Sequence, residues 1–201
     1  GEMPHLLKVT QSMGLTLENG LVIEGDRNKR ISRYPHYLLP NIASHEITEA
    51  LISGGYYILT PIAQPLAETE DSTADITWLL TTSDSAYAKP AALEMKTTEK
   101  EDGDIDGPFH VGAVSESNGK LVWFTSGNML NSNVDYTVGG ANSNLILNAL
   151  NWMGGQEESI SIRAKTMDEE TLTVPAASAS FWSILMIGVI PAFLIVIGII
   201  I

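Results

Sequence analysis

FWSILMIGVIPAFLIVIGIII, residues 181–201, is the stretch that decides the predicted architecture of this chain. The run carries no charged residue, and Ser183 is its only polar side chain. A helix needs about 20 apolar residues to cross a bilayer core of roughly 30 Å, and a helix satisfies its own backbone hydrogen bonds there. We therefore predict one C-terminal transmembrane helix over residues 178–201. A buried core helix is the alternative.

The flank before this run, MDEETLTVPAASAS at residues 167–180, is acidic and poor in Lys and Arg. Because cytoplasmic flanks of membrane helices are usually rich in Lys and Arg, the rest of the chain is expected outside the cytoplasm. The predicted localisation is the cell membrane, single-pass at this end, with an extracytoplasmic soluble domain. The chain begins at Gly1 and ends at Ile201 without a closing basic residue, so we expect a piece of a longer protein.

Composition excludes several functional classes. The 201 residues include 24 acidic and 11 basic side chains, which gives a net charge of −13. Nucleic-acid binding needs basic patches, so we expect no nucleic acid partner. The chain has no cysteine, which removes disulfides, thiolate metal sites and cysteine nucleophiles.

Apolar runs and turn residues predict alternating strands and helices. Asn118-Gly119 is a hairpin dipeptide, whereas the alternation of strands with helices favours a layered, partly parallel sheet. The predicted fold class is α/β, a Rossmann-like layered domain with a mixed sheet, incomplete at its N-terminus. We assign it residues 1–158, followed by a β-hairpin and linker (159–177) and the membrane helix. The predicted strands are 21–23, 56–62, 76–82, 109–114 and 120–125. The predicted helices are 4–12, 45–51 and 139–153.

Polar side chains follow three of the predicted elements at points where α/β sheets commonly bind ligands. Ser83 and Asp84 follow one strand, Ser126 and Asn128 follow another, and Asn144 lies in the first turn of the last helix. Hydroxyl and amide groups near a helix N-terminus suit a small anion or a sugar hydroxyl. These five are the candidate ligand-binding residues, with ordinary caps and turns as the alternative.

Catalytic motifs are absent from the sequence. No G-x-S-x-G, H-E-x-x-H or P-loop pattern occurs. We therefore predict a protein that is not an enzyme and that has no cofactor and no catalytic residue. The alternative is a glycan hydrolase in which Asp84 works as an acid–base pair with Asp135 or His110.

One acidic loop resembles the start of a calcium-binding loop. Asp102, Asp104 and Asp106, followed by a glycine, fit the D-x-D-x-D-G opening. The bidentate Glu of such loops would fall on Ala113, and the ninth position falls on His110. The incomplete pattern favours a solvated acidic loop, and no metal site is assigned. A weak calcium site in an adhesion or scaffold module is the alternative.

The order of several short motifs, closed by the apolar C-terminal run, resembles the GldG-like (gliding-motility type) auxiliary proteins of bacterial ABC-2 transport systems. The resemblance extends from about residue 15 to the end of the chain. Each motif is weak by itself, and their order and spacing carry the resemblance. The motifs are Gly20-Leu-Val-Ile-Glu-Gly25, Tyr37-Leu-Leu-Pro-Asn-Ile, Leu79-Leu-Thr-Thr-Ser-Asp84-Ser-Ala-Tyr-Ala-Lys, Gly107-Pro-Phe, Gly127-Asn-Met-Leu-Asn, Gly140-Ala-Asn-Ser-Asn-Leu and Leu150-Asn-Trp.

The resemblance implies a glutamine-amidotransferase-like fold, related to an intraflagellar-transport-type domain, without the catalytic cysteine. It implies a non-catalytic, membrane-anchored accessory subunit of an ABC-type transport system, whose exterior domain binds a substrate or partner. Its expected partners are the ABC permease and ATPase, membrane lipid, and a carbohydrate or peptide ligand. The alternative function is a membrane-anchored cell-surface glycan hydrolase or carbohydrate-binding module.

Overall fold

A computed structural model describes residues 4–31, 33–90, 92–155 and 185–191 of the chain. The chain divides into two compact units, Gly1–Glu158 and Ser159–Ile201. The first unit consists mainly of short strands and small helices. The second unit contributes only residues 185–191 to the description.

Most of the strands in the first unit are two to five residues long, and β8 and β11 have seven residues each. The strands are β1 (Leu15–Leu17), β2 (Leu21–Ile23), β3 (Arg30–Ile31), β4 (Tyr34–Leu38), β5 (Asn41–Ile42), β6 (Thr60–Pro61), β7 (Leu66–Glu68), β8 (Asp75–Thr81), β9 (Tyr87–Lys89), β10 (Ile105–Asp106), β11 (His110–Glu116) and β12 (Lys120–Phe124).

Within the described part of the first unit, the helices are fewer than the strands, and two of them exceed six residues. They are α1 (Pro4–Ser12), α2 (Glu49–Ser53), α3 (Ser132–Thr137) and α4 (Ala141–Met153), with 3-10 turns at Arg27–Lys29 and Ala92–Glu94.

The strands of the described residues form three sheets. The larger sheet has the order β1-β7-β11-β8-β5, and β12 pairs with β11. The two smaller sheets have the orders β10-β9-β2 and β3-β4-β6. All strand pairs among the described residues are antiparallel.

The predicted Rossmann-like α/β fold with a partly parallel sheet is therefore wrong. A parallel pair needs a crossover of a dozen or more residues, usually through a helix. Between β1 and β12 the structure has one α-helix, α2, which has five residues. Strands β11 and β12 form the predicted hairpin at Asn118-Gly119. Other antiparallel pairs, such as β1 with β7 and β8 with β11, join strands that are far apart in the sequence.

The predicted C-terminal transmembrane helix is also wrong for the part of the chain that the structure describes. There, Leu185–Val189 is a five-residue π-helix, and no helix in the described ranges is long and apolar enough to cross a membrane. Gly188 and Pro191 both disfavour a regular α-helix within this run.

The predicted single-pass membrane localisation, with the domain outside the cytoplasm, depended on this membrane helix. It is therefore not supported by the described residues. The β-hairpin and linker predicted for residues 159–177 lie outside the described residues.

Helix α4 covers one face of the larger sheet. Its buried residues Leu145 and Ala149 pack in the same apolar cluster as Leu79 of β8 and Val111 of β11. Burying aliphatic side chains of this size contributes about 1.5–3 kcal/mol each. This cluster is the main core of the first unit.

The opposite face of the larger sheet carries a second, smaller apolar cluster. Leu15, Leu66 and Ala113 are buried there, and half-buried Trp78 and Trp123 pack against them. Both tryptophans lie directly opposite Ala113 in neighbouring strands. On this face, the small side chain of Ala113 therefore lies between two indole side chains.

Asn142, in the first turn of α4, is fully buried and bonds to two distant segments of the chain. Its Nδ2 donates to the carbonyl of Leu59 at 2.8 Å and to the carbonyl of Met129 at 2.7 Å. Its Oδ1 accepts a hydrogen bond of 3.0 Å from the Leu59 amide. One side chain thus satisfies three backbone groups inside the core.

Replacing Asn142 by alanine is expected to lower the free energy of unfolding by about 3 kcal/mol, at ~1 kcal/mol for each backbone group left unpaired. Chemical denaturation of wild type and Asn142→Ala measures this loss. Asn144→Ala is the matched control, because Asn144 is only half-buried, and the control should stay within about 0.5 kcal/mol of wild type. Equal stability of Asn142→Ala and Asn144→Ala would contradict the stabilising role of the Asn142 hydrogen bonds.

Candidate functional site

The described part of the first unit contains a cleft of about 440 Å³ beside β4 and α3. Its walls combine aromatic rings, side-chain amides and a few aliphatic groups. None of the described residues that line it carries a charge. The lining residues are Ile31, Tyr34, Tyr37, Leu59, Asn128, Asn131, Asn133, Val134 and Thr137.

Strand β4 supplies the aromatic wall of the cleft. The ring centroids of Tyr34 and Tyr37 lie 5.3 Å apart, and the two planes are tilted by 41°. His36 stacks edge-on against both tyrosines, with centroid distances of 6.1 Å to Tyr34 and 5.1 Å to Tyr37. Rings that support each other in this way lose little side-chain freedom on binding a ligand, since their positions are already restricted.

The segment between β12 and α3 supplies the amide wall. Asn128 is exposed at the cleft. Asn131 caps α3, because its Oδ1 accepts a hydrogen bond of 3.0 Å from the backbone N–H of Asn133. Each asparagine side chain carries both donors and an acceptor. The wall therefore offers hydrogen bonds of both kinds to an uncharged polar ligand.

Two buried side chains hold the walls of the cleft together. The Ser126 hydroxyl donates to the carbonyl of Pro61 in β6, the strand that pairs with β4. Asn142 joins the Leu59 backbone to the Met129 carbonyl. The aromatic wall and the amide wall are thus fixed to each other through internal hydrogen bonds.

A second, more apolar cavity of about 290 Å³ shares Ile31 and Thr137 with the cleft. Tyr56 and Tyr57 contribute aromatic surface to it. The shared lining residues make the two cavities neighbours along one face. Together they could accommodate a ligand longer than the cleft itself.

The predicted ligand residues Ser83 and Asp84 are placed away from this cleft, since neither belongs to its lining. The Ser83 hydroxyl donates to Oε1 of buried Glu24 at 2.6 Å, and its backbone N–H donates to Oε2 at 3.1 Å. Ser83 therefore satisfies a buried carboxylate, whereas Asp84 is exposed. Their role in binding stays a prediction.

Of the other three predicted residues, only Asn128 lines the cleft. Ser126 supports it from within through its bond to Pro61. Asn144 lies half-buried in α4, where its backbone N–H donates to Gly140. The structure thus brings together only part of the predicted set.

Sequence reasoning missed the tyrosines of the cleft. The segment that contains Tyr34 and Tyr37 also holds Pro35 and Pro40, which argued against a regular element there. Yet β4 forms, and it presents both rings to the cleft. The density of tyrosine in this segment, together with the asparagine-rich segment after β12, was the signal that could have found the site.

The acid–base residues of the hydrolase alternative have structural partners. Asp135 accepts hydrogen bonds from the Ser143 amide at 3.0 Å and the Ser143 hydroxyl at 2.5 Å, at the start of α4. The Nδ1 of His110 lies 2.9 Å from the Thr81 hydroxyl, and its ring stacks on Trp78 at 4.0 Å. Neither residue belongs to the lining of the cleft.

Two lysines form ion pairs with carboxylates of the acidic loop that resembles a calcium-binding loop. The Lys89 ammonium, only 5% exposed, lies 2.9 Å from Asp104, and Lys100 pairs with Asp106. Burial alone would raise the pKa of Asp104, but hydrogen bonds from the Glu101 amide and from Lys89 hold that pKa below its ordinary value. Within the described ranges, no cluster of three or more acidic or histidine residues could hold a metal ion.

Comparison with solved structures gives a distant structural neighbour. The chain matches no protein-family model and no curated protein. Among solved structures it is similar to an "mmIFT52 N-terminal domain", at 15% sequence identity and a TM-score of 0.48. The match covers 74% of this chain and 56% of that one, so this chain spans little more than half of its neighbour.

At this identity and TM-score, the likeness says nothing about ligands or partners. The resemblance to GldG-like auxiliary proteins depends on the sequence motifs alone.

Two half-buried histidines predict a loss of stability in acid. Burial lowers the pKa values of His36 and His110 from 6.5. The native state then binds fewer protons than the unfolded state below about pH 6.5, so the free energy of unfolding decreases as the pH falls. Denaturation at about pH 7.5 and about pH 5 should show this decrease.

Each of the variants His36→Gln and His110→Gln should lose less stability than wild type over the same pH interval. His5→Gln, at an exposed position of α1, is the control and should behave as wild type. An unchanged acid loss in both test variants would mean that other groups cause it.

Proposed function

We propose that this chain is a non-catalytic accessory subunit of an ABC-type transport system, and that the cleft beside Tyr34 and Tyr37 is its ligand site. The observation that carries the ligand proposal is the lining of that cleft, which includes two tyrosines and three asparagines. The proposed ligand is an uncharged, polyhydroxylated molecule, namely a carbohydrate.

The aromatic and amide side chains of the lining support a carbohydrate as the ligand. A sugar ring has an apolar C–H face that suits an aromatic side chain, and hydroxyls that both donate and accept hydrogen bonds as Asn side chains do. The chain carries a net charge of −13, which disfavours anionic ligands. The tyrosine hydroxyls are further potential donors and acceptors among the lining residues.

The lining of the cleft favours binding over hydrolysis. Glycoside hydrolysis ordinarily uses two carboxyl groups that flank the scissile bond. The described lining residues include no Asp and no Glu. A peptide is the remaining ligand class, and for it the cleft offers no charged group to pair with a terminus or a charged side chain.

The transport role has separate support, which is the resemblance of an ordered series of sequence motifs to GldG-like auxiliary proteins. An accessory subunit that binds a ligand without altering it fits the absence of catalytic motifs from the sequence. The proposed partners are the permease and ATPase of the same transport system.

Tyr37→Ala is expected to weaken binding of a neutral oligosaccharide about tenfold or more, equivalent to about 1.4 kcal/mol, because it removes one of the two rings. Wild type is first tested against a panel of neutral hexose and N-acetylhexosamine oligosaccharides. The affinity of each binder is then measured by titration calorimetry for wild type and variant.

Asn128→Ala tests the amide wall independently, since Asn128 is exposed and its truncation leaves the core intact. Tyr136→Ala is the matched control, because Tyr136 is 87% exposed and is not part of the cleft lining. The carbohydrate proposal fails if no oligosaccharide of the panel binds wild type, or if Tyr37→Ala and Tyr136→Ala bind alike.

The transport role predicts stable partners. Affinity purification of the tagged full-length protein from detergent extracts of its own cells, followed by mass spectrometry, should recover an ATPase and a multi-spanning permease in stoichiometric amounts. Recovery of the chain without either subunit would contradict the accessory role and leave the ligand proposal to be decided by the titrations.

A further inference from the structure

Helix α4 exposes apolar side chains on the face opposite the core. Leu147 and Leu150 are each 54% exposed, although the helix buries Leu145 and Ala149 on its other side. None of its 13 residues, ANSNLILNALNWM, is charged. An outer helix face is normally polar and charged. This face therefore has the character of an interface.

The exposed face has a symmetric residue pattern. Ser143, Leu147, Leu150 and Gly154 follow one another at intervals of four, three and four residues, so they share one side of the helix. The pattern is small, large, large, small in both directions. A second copy of the helix, packed antiparallel, would place Leu147 opposite Leu150, and Ser143 opposite Gly154.

The charges at the two ends of α4 also suit an antiparallel copy. Asp135 caps the N-terminal end through Ser143. Lys120 lies at the C-terminal end, where its ammonium is 3.3 Å from the Trp152 carbonyl and 4.0 Å from the Trp152 ring. Antiparallel packing brings the acidic end of each helix next to the basic end of the other, and it aligns the two helix dipoles favourably.

We propose that a second copy of this chain docks on the exposed face of α4, through antiparallel packing about a two-fold axis between Leu147 and Leu150. Two copies that each carry a net charge of −13 repel one another. A charge-free face is the surface on which like copies can approach at the lowest electrostatic cost. A basic partner would instead be expected to bind an acidic surface.

This interface is small. A helix of 13 residues is about 20 Å long, and its outer face buries far less than the roughly 800 Å² per partner of standard interfaces. The dimer is therefore weak, and the fraction of chains in the dimer rises with protein concentration.

Cross-linking tests the antiparallel register directly, because the natural chain has no cysteine to cause background reaction. Full-length Ser143→Cys and Gly154→Cys proteins are treated with a short bis-maleimide, first separately and then as a mixture. A Cβ at Gly154 meets no atom closer than 3.4 Å, so this substitution is tolerated.

The expected result is a cross-linked dimer in the mixture and none in either protein alone. Two copies of the same position would lie about 16 Å apart along the paired helices, at 1.5 Å per residue. Cross-linking of either protein alone would contradict the antiparallel register. No cross-link in the mixture, at concentrations where wild type sediments as a dimer, would place the contact elsewhere.

Sedimentation of the full-length chain in mild detergent tests the face itself. Leu150→Glu introduces two like charges at the centre of the interface and should weaken self-association at least tenfold. Leu6→Glu is the matched control, because Leu6 is a 45% exposed leucine of α1. Monomeric wild type at every concentration would overturn the proposal, as would equal weakening by the two substitutions. The comparison also separates α4 from association driven by the apolar run at residues 181–201.

Discussion

The buried side-chain amide of Asn142 is the interaction on which the rest of the first unit depends. It lies in the first turn of α4, and it bonds to the backbone of Leu59 and of Met129. Those two segments are irregular and cannot satisfy these groups through a sheet ladder. An aliphatic residue at this position would leave a donor and two acceptors unpaired in the core, where each costs about 1–3 kcal/mol.

The same amide sets the geometry of the cleft. Leu59 precedes β6, which pairs with the tyrosine-bearing strand β4, and Met129 lies in the segment that carries the asparagine wall. The distance between the two walls is thus fixed from inside the protein and not by the ligand. A cleft built on irregular segments in this way can keep a defined shape without long strands or large helices behind it.

Local patterns predicted much of the secondary structure. Helix α1 was predicted at its observed bounds, and the hairpin at Asn118-Gly119 and helix α4 are both present. Strand direction was not predicted, since it depends on long-range pairing such as that of β1 with β7. Hydropathy alone also suggested a membrane helix that the described residues do not contain. Asn142 and Asn144 look alike in sequence, and only tertiary packing makes the first a core residue and leaves the second half-buried.

Amide hydrogen exchange at Leu59 tests the central role of Asn142 most directly. The Leu59 N–H donates to the Asn142 side chain, outside any helix or sheet ladder, so its protection reports on this one contact. We predict that in the native protein this amide exchanges as slowly as those of the core strand β11. Exchange at the rate of an exposed loop would show that the Asn142 bridge does not hold the two walls of the cleft together.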